Sequence, residues 1–286
     1  MKSPIRLIAI DLDGTLLNSK VEISEENRDA LRRAHEAGVE IVLGTGRRHD
    51  FALPIAQSLG FDLWMLSSNG AITRSTRGET FHRDFLSKMT ASKLAKAMSK
   101  YRNYMVLTFD RPGLGAIVCQ NHDQLYGVIQ RWMDKNAPFI DYVSPIENAL
   151  TEDPIQAMFC GPVELMDRAQ EDLNALDFRQ DFTALRTQYD VRNLCIVDLL
   201  NAGCSKGHAL QRWAKYRGID RREVMAIGDN YNDVEMLTFA GYPVIMGNAC
   251  QDLRQEGWTV TLHHDEHGVA AAIDQVLGAS AAIPNA

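Results

Sequence analysis

Three short apolar runs near the start of the chain, at residues 6–10, 39–43 and 63–67, alternate with two amphipathic stretches across very short joints. The first stretch carries helix signals at both ends. Ser24 is placed to cap it, Glu25 and Glu26 sit where the macrodipole favours negative charge, and Gly38 is placed to stop it. Leu31, Ala34 and Ala37 supply its apolar face. The second stretch, about 48–59, contains Pro54, which is expected to kink it, and ends at Gly60. Strand, helix, strand, helix, strand in this order implies a parallel sheet covered by helices, an α/β fold.

After Asn69-Gly70, a strong turn signal, the rhythm breaks. Helical stretches at 90–101, 122–135 and 163–175 then mix with strand-like runs at 104–109, 115–120 and 155–159. The first rhythm is read as resuming at 194–200. A helix from near Ser205, a strand at 224–227, a helix after Asn232, short strands at 244–246 and 259–262 and a closing helix at 268–277 follow. The expected organisation is a discontinuous sheet domain, 1–83 and 194–278, with an α+β domain, 84–193, inserted into it and a frayed tail at 279–286. A chain of 286 residues has room for both.

Composition narrows the function classes. Apolar residues make up 45% and charged residues 23%, the balance of a globular protein, and the net charge is −7. An acidic chain is not drawn to nucleic acid or to an anionic membrane, so neither partner is expected. An anionic small substrate stays open, because a bound cation inverts the local field. The five cysteines are odd in number, widely spaced and without a Cys-x-x-Cys pair. That pattern points away from a disulfide framework or structural zinc and towards a reducing cytoplasm. No run approaches membrane-spanning length, and the first apolar run is too short for a signal-peptide core.

Four segments carry chemistry, each just beyond the carboxyl end of an expected strand. In Asp11-Leu12-Asp13-Gly14-Thr15 the two acids lie two residues apart, so extended backbone turns both to one side. Such a pair suits a hard cation such as Mg²⁺, or a nucleophile beside a general acid. A calcium-binding EF-hand loop is the tempting alternative, but Leu16 stands where that loop requires glycine. Gly44-Thr45-Gly46-Arg47-Arg48 offers backbone N–H groups and a hydroxyl at a helix start, a cradle for an anion. The dinucleotide fingerprint fails there, since His49 replaces its third glycine. Ser205-Lys206-Gly207 places a lysine in a helix's first turn, where it opposes the macrodipole unless an anion is near. Gly228-Asp229-Asn230-Tyr231-Asn232-Asp233 has more polar side chains than capping needs. Asp229 can ligate a metal, while Asn232 and Asp233 can orient water, phosphate or the lysine. Open α/β sheets bind ligands outside the strand carboxyl ends, so the fold would gather all four into one crevice.

In this order Asp11-x-Asp13-Gly14-Thr15, Thr45-Gly46-Arg47, Lys206-Gly207 and Gly228-Asp229-x-x-Asn232-Asp233 resemble the motifs of the haloacid dehalogenase superfamily of phosphatases. The insert between the second and third motifs is similar to the cap of its Cof-type subfamily (type C2B). Ser68-Asn69-Gly70-Ala71, Gly247-Asn248-Ala249 and Gly268-Val269-Ala270 are also similar to that subfamily. The resemblance implies a Rossmann-like core with an inserted cap and hydrolysis of a phosphate monoester by way of an aspartyl-phosphate on Asp11. Asp13 would be the acid and base. Mg²⁺ would be held by Asp11, the Asp13 carbonyl and Asp229. Leu12, Thr45, Gly46, Lys206 and Asn232 would hold phosphoryl oxygens, with Asp233 supporting them from behind. The substrate would be a sugar phosphate or another small phosphorylated metabolite, selected by cap residues that the motifs do not name.

Two rival functions share these motifs: a phosphomutase or phosphotransferase, and a phosphate-binding regulatory protein without turnover. Asp13 argues against the second, because a binder has no need of an acid. His263-His264-Asp265-Glu266-His267 departs from the subfamily's usual polar loop. His263 and His267, four apart, are weighed as metal ligands, but Gly268 follows at once and a surface loop is the expectation. Trp64, Trp132, Trp213 and Trp258 are expected to fill packing, and Arg47, Arg48 and Asn69 to border the leaving group.

Overall fold

β1 (Leu7–Asp11) is buried at all five positions, the pattern of a strand covered on both faces. The computed structural model describes residues 5–189 and 192–281. After β1 come α1 (Glu25–Glu36), β2 (Glu40–Gly44), α2 (His49–Gln57), β3 (Trp64–Ser67) and a hairpin, β4 (Ile72–Ser75) and β5 (Thr80–Arg83). The Ser24 hydroxyl caps α1 by accepting from Asn27 N at 3.3 Å, and Gly38 follows it at φ +83°, the left-handed conformation that ends helices cheaply.

Next come α3 (Lys88–Ala97), β6 (Met105–Thr108), β7 (Ile117–Cys119), α4 (His122–Asn136), β8 (Ile140–Tyr142), β9 (Gln156–Gly161), α5 (Val163–Asn174), β10 (Phe182–Tyr189) and β11 (Leu194–Asn201). The chain continues through α6 (Lys206–Tyr216), β12 (Val224–Gly228), α7 (Val234–Phe239), β13 (Tyr242–Ile245), α8 (Gln251–Arg254), β14 (Thr259–Val260) and α9 (Gly268–Ala281). Two compact units result, Met1–Arg83 with Ser205–Ala286, and Asp84–Cys204.

The first unit is built on an eight-stranded sheet in the order β14-β13-β12-β1-β2-β3-β4-β5. Strands β14 to β3 pair in parallel, and the β4–β5 hairpin extends the sheet antiparallel. Alternate residues serve opposite faces. Ile8, Ile10, Leu43 and Ile227 share a core with Leu31 of α1, Ala56 of α2 and Ile273 of α9. Leu7, Ala9, Val42 and Ala226 share another with Leu210 and Trp213 of α6 and Met236 of α7. From β1 the chain winds outward through β2 and β3, then returns on the other side at β12. The order therefore reverses between β1 and β12, where a crevice opens at the strand ends. Trp213 packs against Trp64, ring centroids 4.4 Å apart, as packing and not as a ligand box.

The second unit holds a six-stranded sheet, β10-β11-β9-β6-β7-β8, antiparallel but for β7 with β8. Leu107, Phe159, Val197 and Leu199 pack from one face of this sheet on Leu94 of α3 and on Met166 and Leu173 of α5.

One boundary differs from the sequence reading. The run 194–200, taken as the return of the parallel sheet, is β11, and it pairs antiparallel with β9 and β10 in the second unit. The division falls at Cys204/Ser205. A strand buried on both faces is apolar throughout whether its neighbours run parallel or antiparallel, so the run alone does not identify its sheet. The expected tail at 279–286 also begins too early, because α9 continues to Ala281; residues 282–286 lie outside the described residues. Among the described residues no helix is long and apolar enough to cross a membrane.

Candidate active site

Asp11 closes β1 directly opposite Gly44 of β2, and Gly228 closes β12 on the other side of β1. The turns leaving these three strand ends, with the start of α6, bring the acidic and basic residues together. Lys206, the first residue of α6, is completely buried. Its ammonium donates to Asp11 Oδ1 at 2.6 Å and to Asp233 Oδ1 at 2.7 Å. A lysine at a helix N-terminus opposes the macrodipole; here two buried carboxylates compensate. Asp233 is itself pinned, its Oδ2 accepting from the N–H groups of Asp229 at 3.1 Å and Asn230 at 3.2 Å.

Gly207 and Gly228 are what the close approach requires. A Cβ on Gly207 would lie 2.5 Å from the Glu235 backbone, and one on Gly228 would lie 2.6 Å from the Asp233 Cβ. Gly14 adopts φ +86°, and a Cβ there would stand 2.2 Å from Asp229 Oδ2. The turn after Asp13 therefore folds directly over Asp229. Thr15 Oγ1 donates to Asp229 Oδ1 at 3.2 Å, and Asn248 Nδ2 reaches Gly14 O at 2.8 Å and Asp229 Oδ2 at 3.4 Å.

Burial pushes the Asp11 carboxyl up to about 7, with repulsion from Asp233 adding to it and the Lys206 ammonium pulling it down. Burial also lifts Asp229 well above the usual carboxylate range, reinforced by Asp11 and Asp233. Burial works against the charge on Lys206, but the attraction of Asp11 and Asp233 outweighs it and raises the lysine's pKa. One oxygen from each of Asp11, Asp229 and Asp233 lies within 4.8 Å of the others. Three carboxylates face one ammonium, and the excess negative charge is what a hard divalent cation neutralises. Asp233 is committed to the Lys206 ammonium and to two backbone N–H groups, whereas Asp229 is met by longer side-chain contacts, so Asp11 and Asp229 are the better donors. The residues fit such an ion.

Asp13 stands outside that trio and is held by a partner of its own. Arg47 Nε and Nη2 grip its two oxygens at 2.7 and 2.5 Å, and the acid is about one-third exposed. The sequence reading placed Arg47 only beside the leaving group, and Asn248 only within a similar motif; neither carried a role. A lone arginine or asparagine gives no signal of where its side chain reaches. Thr45 is buried, and its hydroxyl accepts from Arg47 N at 3.1 Å. Gly46 lies against Asn69, whose Oδ1 accepts from Asn232 Nδ2 at 3.0 Å. The Leu12 carbonyl accepts from Leu17 N at 2.9 Å, tightening the turn behind Asp11. The strand ends thus bring Asp11, Lys206, Asp229 and Asp233 into contact and seat Thr45, Gly46, Asn69 and Asn232 on the adjoining turn.

The histidine segment is a strap. His264 N donates to Asn248 Oδ1 at 3.0 Å, His264 Nδ1 lies 2.9 Å from Leu17 O, and Asp265 accepts from Ser19 N at 2.8 Å and Ser19 Oγ at 2.7 Å. These bonds fasten the turn after Asp13 to the loop after β13. His267, in the left-handed region at φ 61°, turns to Glu26 at 3.2 Å and does not join His263.

The chain matches the family model described as haloacid dehalogenase-like hydrolase over residues 8–273. It is 34% identical to phosphatase YwpJ of Bacillus subtilis (strain 168), over 96% of this chain and 100% of the relative. It is 29% identical to 5-amino-6-(5-phospho-D-ribitylamino)uracil phosphatase YwtE of the same organism, over 96% and 98%. A solved haloacid dehalogenase-like hydrolase from Bacteroides thetaiotaomicron is 30% identical, covers 95% of this chain and 99% of its own, and gives a TM-score of 0.77.

Proposed function

The chain belongs to the haloacid dehalogenase-like hydrolase family as one of its phosphatases, and on that premise we propose Mg²⁺-dependent hydrolysis of a small phosphorylated metabolite through an aspartyl-phosphate on Asp11. The observation that carries this reading is the buried Asp11–Lys206–Asp233 arrangement beside Asp229, a site with more negative charge than its lysine neutralises.

Lys206 occupies Asp11 Oδ1 and so directs the other oxygen to phosphorus. That oxygen attacks in line, the bond from phosphorus to the ester oxygen breaks, and the leaving oxygen takes its electron pair and a proton from Asp13. Asp13, now a carboxylate, accepts a proton from the water that attacks the same phosphorus. The bond from phosphorus to Asp11 then breaks and inorganic phosphate leaves. Thr45, the N–H groups of Leu12 and Gly46, Lys206 and Asn232 would hold the phosphoryl oxygens, where donors aimed at developing charge act most strongly. Asp233 keeps Lys206 in place.

Asp11, Asp229 and the Asp13 carbonyl would hold Mg²⁺, which supplies charge neutralisation between carboxylate and phosphate when bound. The curated relative YwtE is named for a phosphorylated ribitylamino compound, which supports a metabolite bearing hydroxyl or amino groups as substrate.

The test is release of inorganic phosphate from p-nitrophenyl phosphate, with Mg²⁺ and with EDTA. Turnover that EDTA removes and Mg²⁺ restores is expected. A folded protein that releases no phosphate with Mg²⁺ would overturn the reading, and transfer of phosphate to a second substrate in place of release would replace it with phosphotransfer.

A further inference from the structure

The strap of His263, His264 and Asp265 plays no part in the phosphatase reading, and its polar atoms are arranged with more order than a surface loop needs. His264 Nδ1 lies 2.9 Å from the Leu17 carbonyl oxygen. A carbonyl only accepts, so Nδ1 carries the proton, and in the neutral ring Nε2 keeps its lone pair. Nε2 faces the Ser19 hydroxyl at 3.5 Å and Asp265 Oδ2 at 3.8 Å. That hydroxyl commits its single proton to Asp265 Oδ2 at 2.7 Å, so it offers none to Nε2.

His263 offers a second lone pair. Its Nδ1 accepts from Asp265 N at 3.1 Å, so that nitrogen is unprotonated too, and it lies 3.7 Å from the same Asp265 Oδ2. One ring nitrogen from each histidine and one Asp265 oxygen lie within 4.8 Å of one another. A tetrahedral ion with bonds of ~2.0–2.2 Å holds its donors roughly 3.4 Å apart. Distances of 3.7 and 3.8 Å need only a slight closure to reach that. Coordination would take the His263 lone pair from the Asp265 N–H, exchanging one neutral hydrogen bond in a solvent-facing turn for a metal bond. The side chains of His263 and Asp265 are 40% and 43% exposed, which gives an ion a path in from solvent.

We propose that His263, His264 and Asp265 form a second metal site, made of other residues than the acidic trio, for a borderline transition ion of the Zn²⁺ class. Two imidazole nitrogens and a carboxylate oxygen are donors that such an ion takes, whereas Mg²⁺ is held by oxygen. The donors are also supported from behind as metal ligands are. A carbonyl holds the far nitrogen of His264, and Ser19 N and Oγ hold the two oxygens of Asp265. The ion would stiffen the strap that ties residues 17–19 to the loop after β13. From His264 N the hydrogen bonds run to Asn248, and from Asn248 to Gly14 O and Asp229 Oδ2. An ion bound here therefore steadies the turn that folds over Asp229, and it does so whether or not the chain is a phosphatase.

The test is NMR of the histidine rings in the full chain, freed of metal, as Zn²⁺ is added. Saturable shifts of the His263 and His264 ring nitrogens are expected, with a rise in unfolding temperature. Asp265→Asn keeps an oxygen for Ser19 while removing the charge, and His264→Gln removes a donor. Each is expected to weaken Zn²⁺ binding by at least ~10-fold. His267→Gln, at the histidine that turns to Glu26, is expected to leave the affinity unchanged.

Zn²⁺ that shifts neither ring overturns the site, including Zn²⁺ that settles on the carboxylates of Asp11 and Asp229 instead. Rings that respond to pH but not to Zn²⁺ mark an imidazolium–carboxylate pair with Asp265 and overturn it as well. So does an affinity lowered as far by His267→Gln as by His264→Gln, which would mark unspecific capture by surface histidines. The parent's own spectrum decides the first two outcomes, so a variant that fails to fold leaves the test intact.

Discussion

Arg47 holds the Asp13 carboxylate with two hydrogen bonds, Nε to Oδ2 at 2.7 Å and Nη2 to Oδ1 at 2.5 Å. A guanidinium fork fixes a carboxylate in plane as well as in distance, which a lysine does not do. If Asp13 moves protons to and from the ester oxygen, loosening it costs rate before it costs stability. Arg47→Lys is expected to lower kcat about tenfold and Arg47→Ala about 10²-fold, as misplaced catalytic groups do. Steady-state kinetics with p-nitrophenyl phosphate check this. A fully active Arg47→Ala would remove Arg47 from any positioning role.

Asp11→Asn separates chemistry from stability. Turnover is expected to fall by at least ~10⁴-fold, as when a nucleophile is removed. The metal-free variant should nevertheless unfold at a higher temperature than its parent at pH 8. Burial and the neighbouring Asp233 both disfavour the Asp11 charge, and an amide of the same shape removes that burden. Calorimetry on EDTA-treated protein would show the rise; a lower unfolding temperature would contradict the electrostatic account of the site.

The same shift sets a pH dependence. In the folded, metal-free protein Asp11 keeps its proton up to about 7, whereas an aspartate in an unfolded chain loses it near ~3.9. Between those values the folded state binds more protons, so this contribution falls as pH rises, full below about 4 and lost through about 7. Thermal scans with EDTA are expected to show unfolding temperature dropping by a few degrees (~2–4 °C) from pH 5.5 to pH 8. Mg²⁺ requires the deprotonated carboxylates, so adding it should flatten or reverse that slope. Apparent Mg²⁺ affinity should weaken by up to about tenfold per pH unit below 7. A metal-free profile that rises across this window would argue that another group dominates.

Lys206→Met leaves Asp11 and Asp233 buried without their shared counter-charge. Breaking a buried pair from one side costs about 3–5 kcal/mol, and urea unfolding of the variant should register a loss of that size. Mg²⁺ should restore part of it, since the ion supplies charge to the same carboxylates. A variant as stable as its parent would mean that the lysine is not the site's main neutralising group.

Much of this site was legible because position along the strands does the gathering. Asp11 closes one strand of the parallel sheet, Asp229 follows another, and Lys206 opens the helix packed on them, so that sheet brings them together whatever their separation in sequence. The glycines at 14, 207 and 228 lie within the motifs, but that backbone, a carboxylate or a neighbouring side chain approaches each of them closely is visible only in the structure. The Arg47–Asp13 pair was not legible, because the reach of an arginine depends on rotamers and neighbours that spacing does not encode. Neither was the membership of β11. Its only irregularity is Asp198 in an apolar run, and that residue turns out to accept a hydrogen bond from Gln156 of β9 within the second sheet.

The position of β1 between β2 and β12 carries a consequence for synthesis. Leu7 pairs with Glu40 on one side and with Val224 on the other. At ~5–20 residues per second the second partner leaves the ribosome roughly 10–40 s after the first. Throughout that interval one edge of β1 stands as an unpaired template, with Asp11 at its tip and no Lys206 to meet it. Truncation anywhere before β12 leaves this edge permanently open, and such chains are candidates for strand-to-strand aggregation and for chaperone capture. Inserting a whole domain into the middle of the core delays the moment at which its own catalytic acid is covered.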